Sequence, residues 1–432
     1  MSADEASAAA EQPTAESESP VAELLRTPRD GTPEPLTTPA QLAEAARGLA
    51  AGSGPIAVDA ERASGYRYSQ RAYLVQLRRT GYGSALIDPI ALPDLTPLND
   101  ALKGVEWILH AASQDLACLA EVGMRPDALF DTELAGRLLG SERVALGTMV
   151  EQYLGIALEK GHSAADWSTR PLPQSWLDYA ALDVELLIEL REVLIAELDR
   201  TGKRDWAAQE CQAIIDAPPP PPRSEPWRRT SGIHAIRSRR QLAIVRALWQ
   251  ARDSRAAERD IAPGRVLPDS AIIAAVKAAP RRTSELTALG VFSGPRQRRQ
   301  AGYWFAAIEA GRAVAEQDLP TLAQVSHDPD AMPPPSRWRD KDPAAAIRLA
   351  ACKQVVSTAA ERHQVVSQNL LAGDVIRRLA WHGVDQLTEE SVRDRLAALG
   401  ARRWQVDLLA AELTAALKNP PPEPPEPPSF GA

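Results

Sequence analysis

Asp59 and Glu61 stand one residue apart at the end of a short apolar segment, residues 55–58. In an extended strand, residues i and i+2 point to the same side, so both carboxylates would present oxygens to one point. Two anions held this close repel each other unless a cation lies between them, and hard oxygen ligands favour Mg²⁺ or Mn²⁺. The pair indicates metal chemistry, and a solvated strand end is the alternative interpretation.

Two more acidic residues occupy unusual positions. Asp115 stands just past a predicted strand, at the start of a helix, where a capping anion stabilised by the helix dipole is the alternative. Tyr179 and Asp183 are four residues apart on a predicted helix and share one face. An exposed helical acid is the alternative for Asp183, but its Tyr, Leu and Val neighbours are typical of a packed face.

Together these motifs resemble those of the DEDD exonucleases, in the variant with tyrosine, and most closely those of the ribonuclease D family. They keep their order and spacing across residues 59–183. The residues that carry the resemblance are Val58-Asp59-Ala60-Glu61, His110 with Asp115, Phe130-Asp131-Thr132 followed by Leu138-Leu139-Gly140, the segment from Gly161 to Leu172, and Tyr179 with Asp183.

The resemblance implies a ribonuclease H-like α/β fold, with a mixed five-stranded sheet and flanking helices. It also implies a 3′–5′ exoribonuclease that removes 3′-terminal nucleotides from structured RNA, such as tRNA precursors, and releases 5′-monophosphates by two-metal hydrolysis. The same chemistry on DNA, in repair, is the nearest alternative. A non-catalytic RNA-binding protein of the same fold is a second, and the presence of all five motif residues argues against it.

The resemblance suggests a division of labour around two divalent ions, Mg²⁺ or Mn²⁺. Asp59 is expected to bridge both ions, Glu61 and Asp183 to bind the ion that holds the attacking water, and Asp115 to reach the second ion through water. Tyr179 has an ordinary pKa of about 10, so we expect it to orient the water rather than act as a base.

Other positions in the motifs support weaker expectations. Asp131 and Thr132 are most simply a helix cap. His110 could contact the terminal nucleotide or satisfy a buried backbone group. Five residues could serve the substrate or simply pack: Tyr66, Tyr68, Tyr73, Trp167 and Arg170.

The elements that must position these residues belong to the first half of the chain. Residues 1–36 are rich in Glu, Ser, Thr and Pro and predict a disordered tail. Residues 37–212 predict the exonuclease domain: a helix, three strands joined by short turns, and then alternating strands and helices. Short turns between the first strands predict that this part of the sheet is antiparallel.

The second half of the chain predicts only helices. A proline-rich linker is expected over residues 213–232, and residues 233–313 resemble the helicase-and-ribonuclease-D C-terminal (HRDC) domain. Residues 343–417 resemble a second, degenerate copy of it. Residues 418–432 alternate Pro and Glu and predict a disordered tail.

Charge is unevenly distributed along the chain. The net charge is −8, yet residues 221–300 hold 17 Lys and Arg against 6 Asp and Glu, a local balance of +11. Such a segment is typical of contact with a phosphate backbone, although a solvated arginine-rich face is the alternative. Arg296, Arg298 and Arg299 are the candidate RNA-binding residues.

Cysteine usage and hydropathy indicate the cellular compartment. The three cysteines are far apart and form no Cys-x-x-Cys pair, which favours a reducing environment over structural zinc. The N-terminus lacks the pattern of a secretory signal, and no apolar run is long enough to span a bilayer. We therefore expect a cytoplasmic protein, a monomer, with RNA as its partner and no membrane contact.

Overall fold

An α/β unit and two helical units follow one another in the computed structural model, which describes residues 22–159, 161–219, 221–322 and 331–420. The α/β unit contains strands β1 Glu23–Leu25, β2 Ser53–Arg62, β3 Ala72–Thr80, β4 Gly83–Ile87, β5 Glu106–Leu109, β6 Ala128–Asp131 and β7 Ile156–Leu158. Its helices are α1 Pro39–Ala51, α2 Thr96–Ala101, α3 Leu116–Glu121, α4 Thr132–Leu138, α5 Leu146–Leu154, α6 Gln174–Glu185, α7 Leu187–Arg200 and α8 Arg204–Asp216.

Five strands form a mixed sheet in the order β4-β3-β2-β5-β6. The first three are antiparallel, and β5 and β6 run parallel to β2. Gly81 and Gly83 have positive φ angles of 91° and 95° in the tight turn between β3 and β4, a conformation that favours glycine. The parallel strands are reached through helical crossovers, as parallel pairing requires. The predicted fold class is confirmed.

The central strand β2 is covered on both faces. Ile56, Val58 and Ala60 belong to a core cluster shared with α1, α2 and α3. Ala57 points the other way, into a cluster that includes Val184 of α6 and several leucines of α7. Because side chains alternate along a strand, Asp59 and Glu61 are on the Ala57 side, toward α6.

The helical units contain one long helix each and several short ones. The first comprises α9 Arg239–Arg259, α10 Pro263–Val266, α11 Asp269–Ala278, α12 Thr283–Ala288, α13 Pro295–Arg299 and α14 Ala301–Ala313. The second comprises α15 Trp338–Lys341, α16 Pro343–His363, α17 Ser367–Leu370, α18 Gly373–His382, α19 Glu389–Ala398 and α20 Arg403–Lys418. None of the described helices is both long and apolar enough to cross a membrane.

The N-terminal tail differs from its prediction as a disordered segment over residues 1–36. Residues 1–21 lie outside the described part of the chain, but β1 pairs in parallel with β7, and Leu36 forms a bridge with Ile87 of β4. Leu25 packs against the core beside β7. A three-residue strand is too short to produce a periodic signal, which is why composition alone suggested disorder.

The other departures concern boundaries. Helix α8 extends to Asp216, and Trp227 is buried in the core of the first helical unit, so the predicted linker 213–232 is partly structured. Helices α6 and α7 are separated at Leu186, and α19 and α20 are separated at Gly400, which adopts a positive φ of 86°. Residues 421–432 of the predicted C-terminal tail lie outside the described residues.

Candidate active site

Three carboxylates meet where β2 and α6 pack together. Each of Asp59, Glu61 and Asp183 offers an oxygen, and these atoms all lie within 4.8 Å of one another. Strand β2 is hydrogen-bonded to β3 on one side and to β5 on the other, which holds the first two side chains rigidly. The prediction that both point to one place is confirmed.

Helix α6 contributes the third carboxylate and the tyrosine. Leu177, Ala180, Ala181 and Val184 are buried along α6 and fix its position, while Tyr179 and Asp183 share the face turned toward β2, as their spacing predicts. Burial and then the charge of Asp183 raise the pKa of the Tyr179 hydroxyl, so the two groups lie near each other. The alternative interpretation of Asp183 as an exposed surface acid is therefore wrong.

Asp115 lies beside this group and is held by an arginine. Asp115 occupies the N-cap position of α3, as the alternative interpretation has it, but its buried carboxylate makes no capping hydrogen bond. Arg62 Nη2 lies 3.6 Å from Asp115 Oδ1. Asp115 is not one of the three residues whose oxygens lie within 4.8 Å of each other.

Sequence reasoning missed Arg62. Simple alternation would point it to the opposite face from Glu61, yet its guanidinium lies beside Asp115. The β2–β3 register shifts between Glu61 and Arg62, where Tyr73 of β3 is the extra residue, and such a bulge increases the local twist of the strands. No sequence signal marks this bulge.

Burial and mutual repulsion dominate the electrostatics of the four acids. Burial raises the pKa of Asp59 to about 6. Burial and then the charge of Asp59 raise the pKa of Asp115 to about 8. The same two causes hold the pKa values of Glu61 and Asp183 well above the ordinary range. Such strongly shifted groups are characteristic of functional sites, and a bound cation would relieve the repulsion.

Asp131 shapes the turn that leads to Asp115. As predicted, it caps a helix: its side chain accepts hydrogen bonds from the backbone N–H groups of Glu133 and Leu134 in α4. It also accepts from Ala111 N at 3.1 Å and Ala112 N at 2.8 Å. Ala111 has a positive φ of 61°, a conformation that costs energy for a residue with a side chain, so these bonds stabilise an unfavourable turn.

The remaining predicted candidates do not join the acidic cluster. His110 Nδ1 lies 2.9 Å from Thr132 Oγ1, and burial lowers the pKa of the imidazole. Arg296, Arg298 and Arg299 are exposed on α13, and in the described part of the chain none of them contacts the four acids. Their role in binding RNA stays a prediction.

The aromatic and arginine candidates have structural partners. Trp167 and Tyr73 are fully or almost fully buried, and Arg170 forms a two-bonded ion pair with Asp88, with distances of 2.7 and 2.8 Å. These contacts favour packing over a direct contact with substrate.

The first helical unit docks on the loop that follows Glu61 and Arg62. Asp260 Oδ1 accepts hydrogen bonds from Tyr68 N at 3.1 Å and Ser69 N at 2.8 Å. The guanidinium of Arg265 lies 4.0 Å from the centre of the Tyr66 ring. The tyrosines of this loop thus hold the helical unit against the wall of the site.

The donor set fits a hard divalent cation. The carboxylates supply only oxygen ligands, which suit Mg²⁺ and Mn²⁺ better than softer metals. The oxygens of three of these carboxylates lie close enough together to share one ion. The raised pKa values of Asp59, Glu61 and Asp115 reflect a negative charge that Arg62 compensates only partly. The cluster could therefore bind divalent metal and serve phosphodiester hydrolysis.

Family models match three separate parts of the chain. The model described as 3′-5′ exonuclease matches residues 33–199, and the HRDC domain model matches residues 241–308. The model described as 3′ to 5′ exonuclease C-terminal domain matches residues 331–417. The first match contains all the carboxylates of the cluster.

Curated relatives align along most of the chain. Ribonuclease D of Sphingobium indicum is 30% identical over 380 residues, which cover 84% of this chain and 91% of the relative. Ribonuclease D of Escherichia coli K12 is 29% identical over 354 residues, 79% of this chain and 88% of the relative.

Two solved structures are similar to this chain over nearly its whole length. A protein from Bifidobacterium adolescentis is 36% identical with a TM-score of 0.84, and the match covers 92% of this chain and all of that one. Escherichia coli RNase D, described as an exoribonuclease involved in structured RNA processing, is 27% identical with a TM-score of 0.63. That match covers 90% of this chain and 99% of the other.

Proposed function

Because the chain belongs to the ribonuclease D family and is a 3′–5′ exoribonuclease, we propose that Asp59, Glu61, Asp115 and Asp183 bind its catalytic metal ions and that Tyr179 assists them. The convergence of three carboxylate oxygens within 4.8 Å is the observation that carries this assignment. Enzymes of this fold use divalent metals, and we propose two ions, Mg²⁺ or Mn²⁺. When bound, such ions lower the pKa of the attacking water and offset charge on the leaving oxygen.

Asp59 is the residue best suited to be shared between the two ions. Its charge contributes to the raised pKa of Glu61, of Asp183 and of Asp115. No other carboxylate of the cluster acts so strongly on all of its neighbours. Glu61 and Asp183 would then complete one ion site, and Asp115 would serve the other.

Tyr179 orients the attacking water and does not take a proton from it. Burial, followed by the charge of Asp183, raises the pKa of its hydroxyl far above the ordinary value, so the hydroxyl keeps its proton at neutral pH. A protonated hydroxyl beside Asp183 can hold a water by donating or accepting a hydrogen bond. The histidine variant of the DEDD exonucleases has its orienting residue five positions before the last acid, and here that position is Asp178, which favours the tyrosine-type assignment.

The substrate is RNA, and we propose structured 3′ ends such as those of tRNA precursors. The first helical unit docks through Asp260 and Arg265 on the loop that follows Glu61 and Arg62, and the surplus of positive charge over residues 221–300 would attract the RNA backbone. We further propose that the protein acts as a monomer.

The test compares Asp183→Asn with Asp199→Asn, a matched change at an exposed acid of α7. A 5′-labelled tRNA precursor with a 3′ extension is incubated with Mg²⁺ or Mn²⁺, beside DNA of the same sequence. We expect shortening from the 3′ end with release of 5′-monophosphates, and a loss of at least about 10²-fold in kcat for Asp183→Asn only. Equal activity of the two variants would refute the site, and preference for DNA would refute the substrate.

A further inference from the structure

The segment of residues 23–36, here called the N-terminal strap, is anchored at both ends. Strand β1 pairs with β7 at its start. At its end, Leu36 N donates to Leu86 O at 2.8 Å, and Leu36 O accepts from Asp88 N at 3.1 Å. The strap therefore extends the edge of the main sheet at one end and is tied to a separate strand pair at the other.

Between its anchors the strap contacts α6 next to Tyr179. Thr32 Oγ1 donates a hydrogen bond of 2.6 Å to Asp178 Oδ1. The same carboxylate oxygen accepts a hydrogen bond of 2.9 Å from Gln174 Nε2, one turn earlier in α6. The strap is thus linked to Asp178, the residue directly before Tyr179.

A second contact lies at the other end of α6, two residues after Asp183. Glu185 is fully buried, and its carboxylate accepts a hydrogen bond of 3.2 Å from the strap, from Arg29 N. Arg78 Nη1 lies 3.1 Å from Glu185 Oε2, and Arg78 Nη2 lies 3.0 Å from Asp30 Oδ2 of the strap. A buried carboxylate needs such partners, so the strap, β3 and α6 are joined in one ionic network.

Helix geometry separates these contacts from the reacting groups. Asp178 and Glu185 are seven residues apart, close to two full turns, so they share one face of α6. Tyr179 and Asp183 are displaced by about 100° and about 140° around the helix from Asp178. The strap therefore contacts α6 on the side away from the carboxylate cluster. Its contacts lie at both ends of the segment that carries Tyr179 and Asp183.

We propose that the N-terminal strap is a positioning element for the exonuclease reaction: through Thr32–Asp178 and Arg29–Glu185–Arg78 it fixes the rotation and depth of α6, and thereby the placement of Tyr179 and Asp183. The inference rests on the proposed roles of those two residues. The strap itself touches no reacting group. It acts because small displacements of catalytic groups have large effects on rate.

The test uses full-length variants assayed well below their Tm. Thr32→Val removes the hydroxyl and keeps the shape, and Thr32→Ser restores the hydroxyl. Glu185→Gln removes the buried charge, and Glu106→Gln is its matched control, because Glu106 pairs with Arg191 between β5 and α7, away from the strap. For each variant we measure kcat, the KM for RNA, and the Mn²⁺ concentration that gives a half-maximal rise in Tm.

We expect Thr32→Val and Glu185→Gln to lower kcat by about three- to tenfold, with an unchanged KM for RNA. The Mn²⁺ concentration for the half-maximal rise in Tm should increase, while Thr32→Ser and Glu106→Gln behave as wild type. If Thr32→Val and Glu185→Gln lower only Tm, the strap is merely structural and the proposal fails. If Asp183→Asn is also fully active, the assignment of the active site is wrong. If Asp183→Asn is inactive and Thr32→Val is fully active, only the proposal about the strap is wrong.

Discussion

At the scale of single residues, the site brings together four carboxylates whose mutual repulsion destabilises the fold. Asp59, Glu61, Asp115 and Asp183 are buried or nearly so, and each has a raised pKa. Arg62 is the cation that lowers the pKa of several of them. One arginine cannot balance four carboxylates, so the cluster opposes folding until a cation binds.

This imbalance predicts how the stability of the metal-free protein varies with pH. The folded pKa values of about 6 for Asp59 and about 8 for Asp115 lie above the ordinary value of 3.8. Folding therefore takes up protons, so stability is greatest below about pH 4 for these groups and is lost as pH rises through 6 and 8. We expect Asp183→Asn, which relieves the repulsion, to raise the Tm of the metal-free protein by roughly 5 °C at pH 8 and less at pH 5.

Thermal unfolding in EDTA and with saturating Mn²⁺ checks this. Buried histidines such as His110, whose pKa is lowered, act in the opposite direction, so the informative quantity is the difference between wild type and Asp183→Asn. That difference should vanish or reverse with Mn²⁺, because the wild-type site then gains a cation. A pH-independent difference in EDTA would contradict the prediction.

At the scale of elements, Asp131 connects two helix starts, that of α4 and that of α3, where Asp115 lies. The Asp131 carboxylate accepts hydrogen bonds from backbone N–H groups of α4 and from those of Ala111 and Ala112. These two alanines form the turn that leads into Asp115. The helix cap and the turn therefore depend on the same side chain. Disturbing it should affect both the stability of α4 and the placement of Asp115.

We accordingly expect Asp131→Ala to cost about 1–2 kcal/mol of stability, as loss of a cap does, and also to lower kcat about tenfold through the displaced turn. Asp342→Ala is the matched control, since Asp342 caps α16 by accepting a hydrogen bond from Ala345 N at 2.9 Å. It should lower stability only. Denaturant unfolding and single-turnover kinetics on both variants measure the two effects, and equal kcat values would show that Asp131 is a cap and nothing more.

At the scale of the whole molecule, the second helical unit and the α/β unit share one hydrophobic core. Trp206 of α8 stacks on Trp404 of α20, with ring centres 4.3 Å apart. Lys203 is buried between the units, and its ammonium donates to Leu138 O at 2.8 Å and to His363 O at 2.7 Å. A buried ammonium that caps the ends of two helices ties the units together.

Lys203→Met should therefore lower the free energy of unfolding by about 2–4 kcal/mol, because two buried carbonyls lose a charged donor. Lys103→Met, at an exposed lysine paired with Asp100, should leave the free energy of unfolding nearly unchanged, because an exposed ion pair stabilises little. Because the units share a core, we expect α8 and α20 to unfold in one transition for both variants. Denaturant unfolding followed by tryptophan fluorescence measures this, and separate transitions of the two units would contradict it.

The sequence by itself determined the antiparallel pairing of the first strands, the alternation that points Asp59 and Glu61 to one side, and the shared face of Tyr179 and Asp183. The first follows from short turns, and the other two follow from periodicities of two and of about 3.6 residues, which act between near neighbours. The motif resemblance then identified the family that the comparisons confirm.

Only the tertiary structure decided which distant groups meet. The ion pair of Arg62 with Asp115, the strap contact of Thr32 with Asp178 across 146 positions, and the contact of Lys203 with His363 across 160 positions have no local signature. They arise when faces of separate elements pack, and the resulting partners depend on the position of every intervening element. Local periodicity therefore predicted which side chains could do chemistry, and packing decided how they are held.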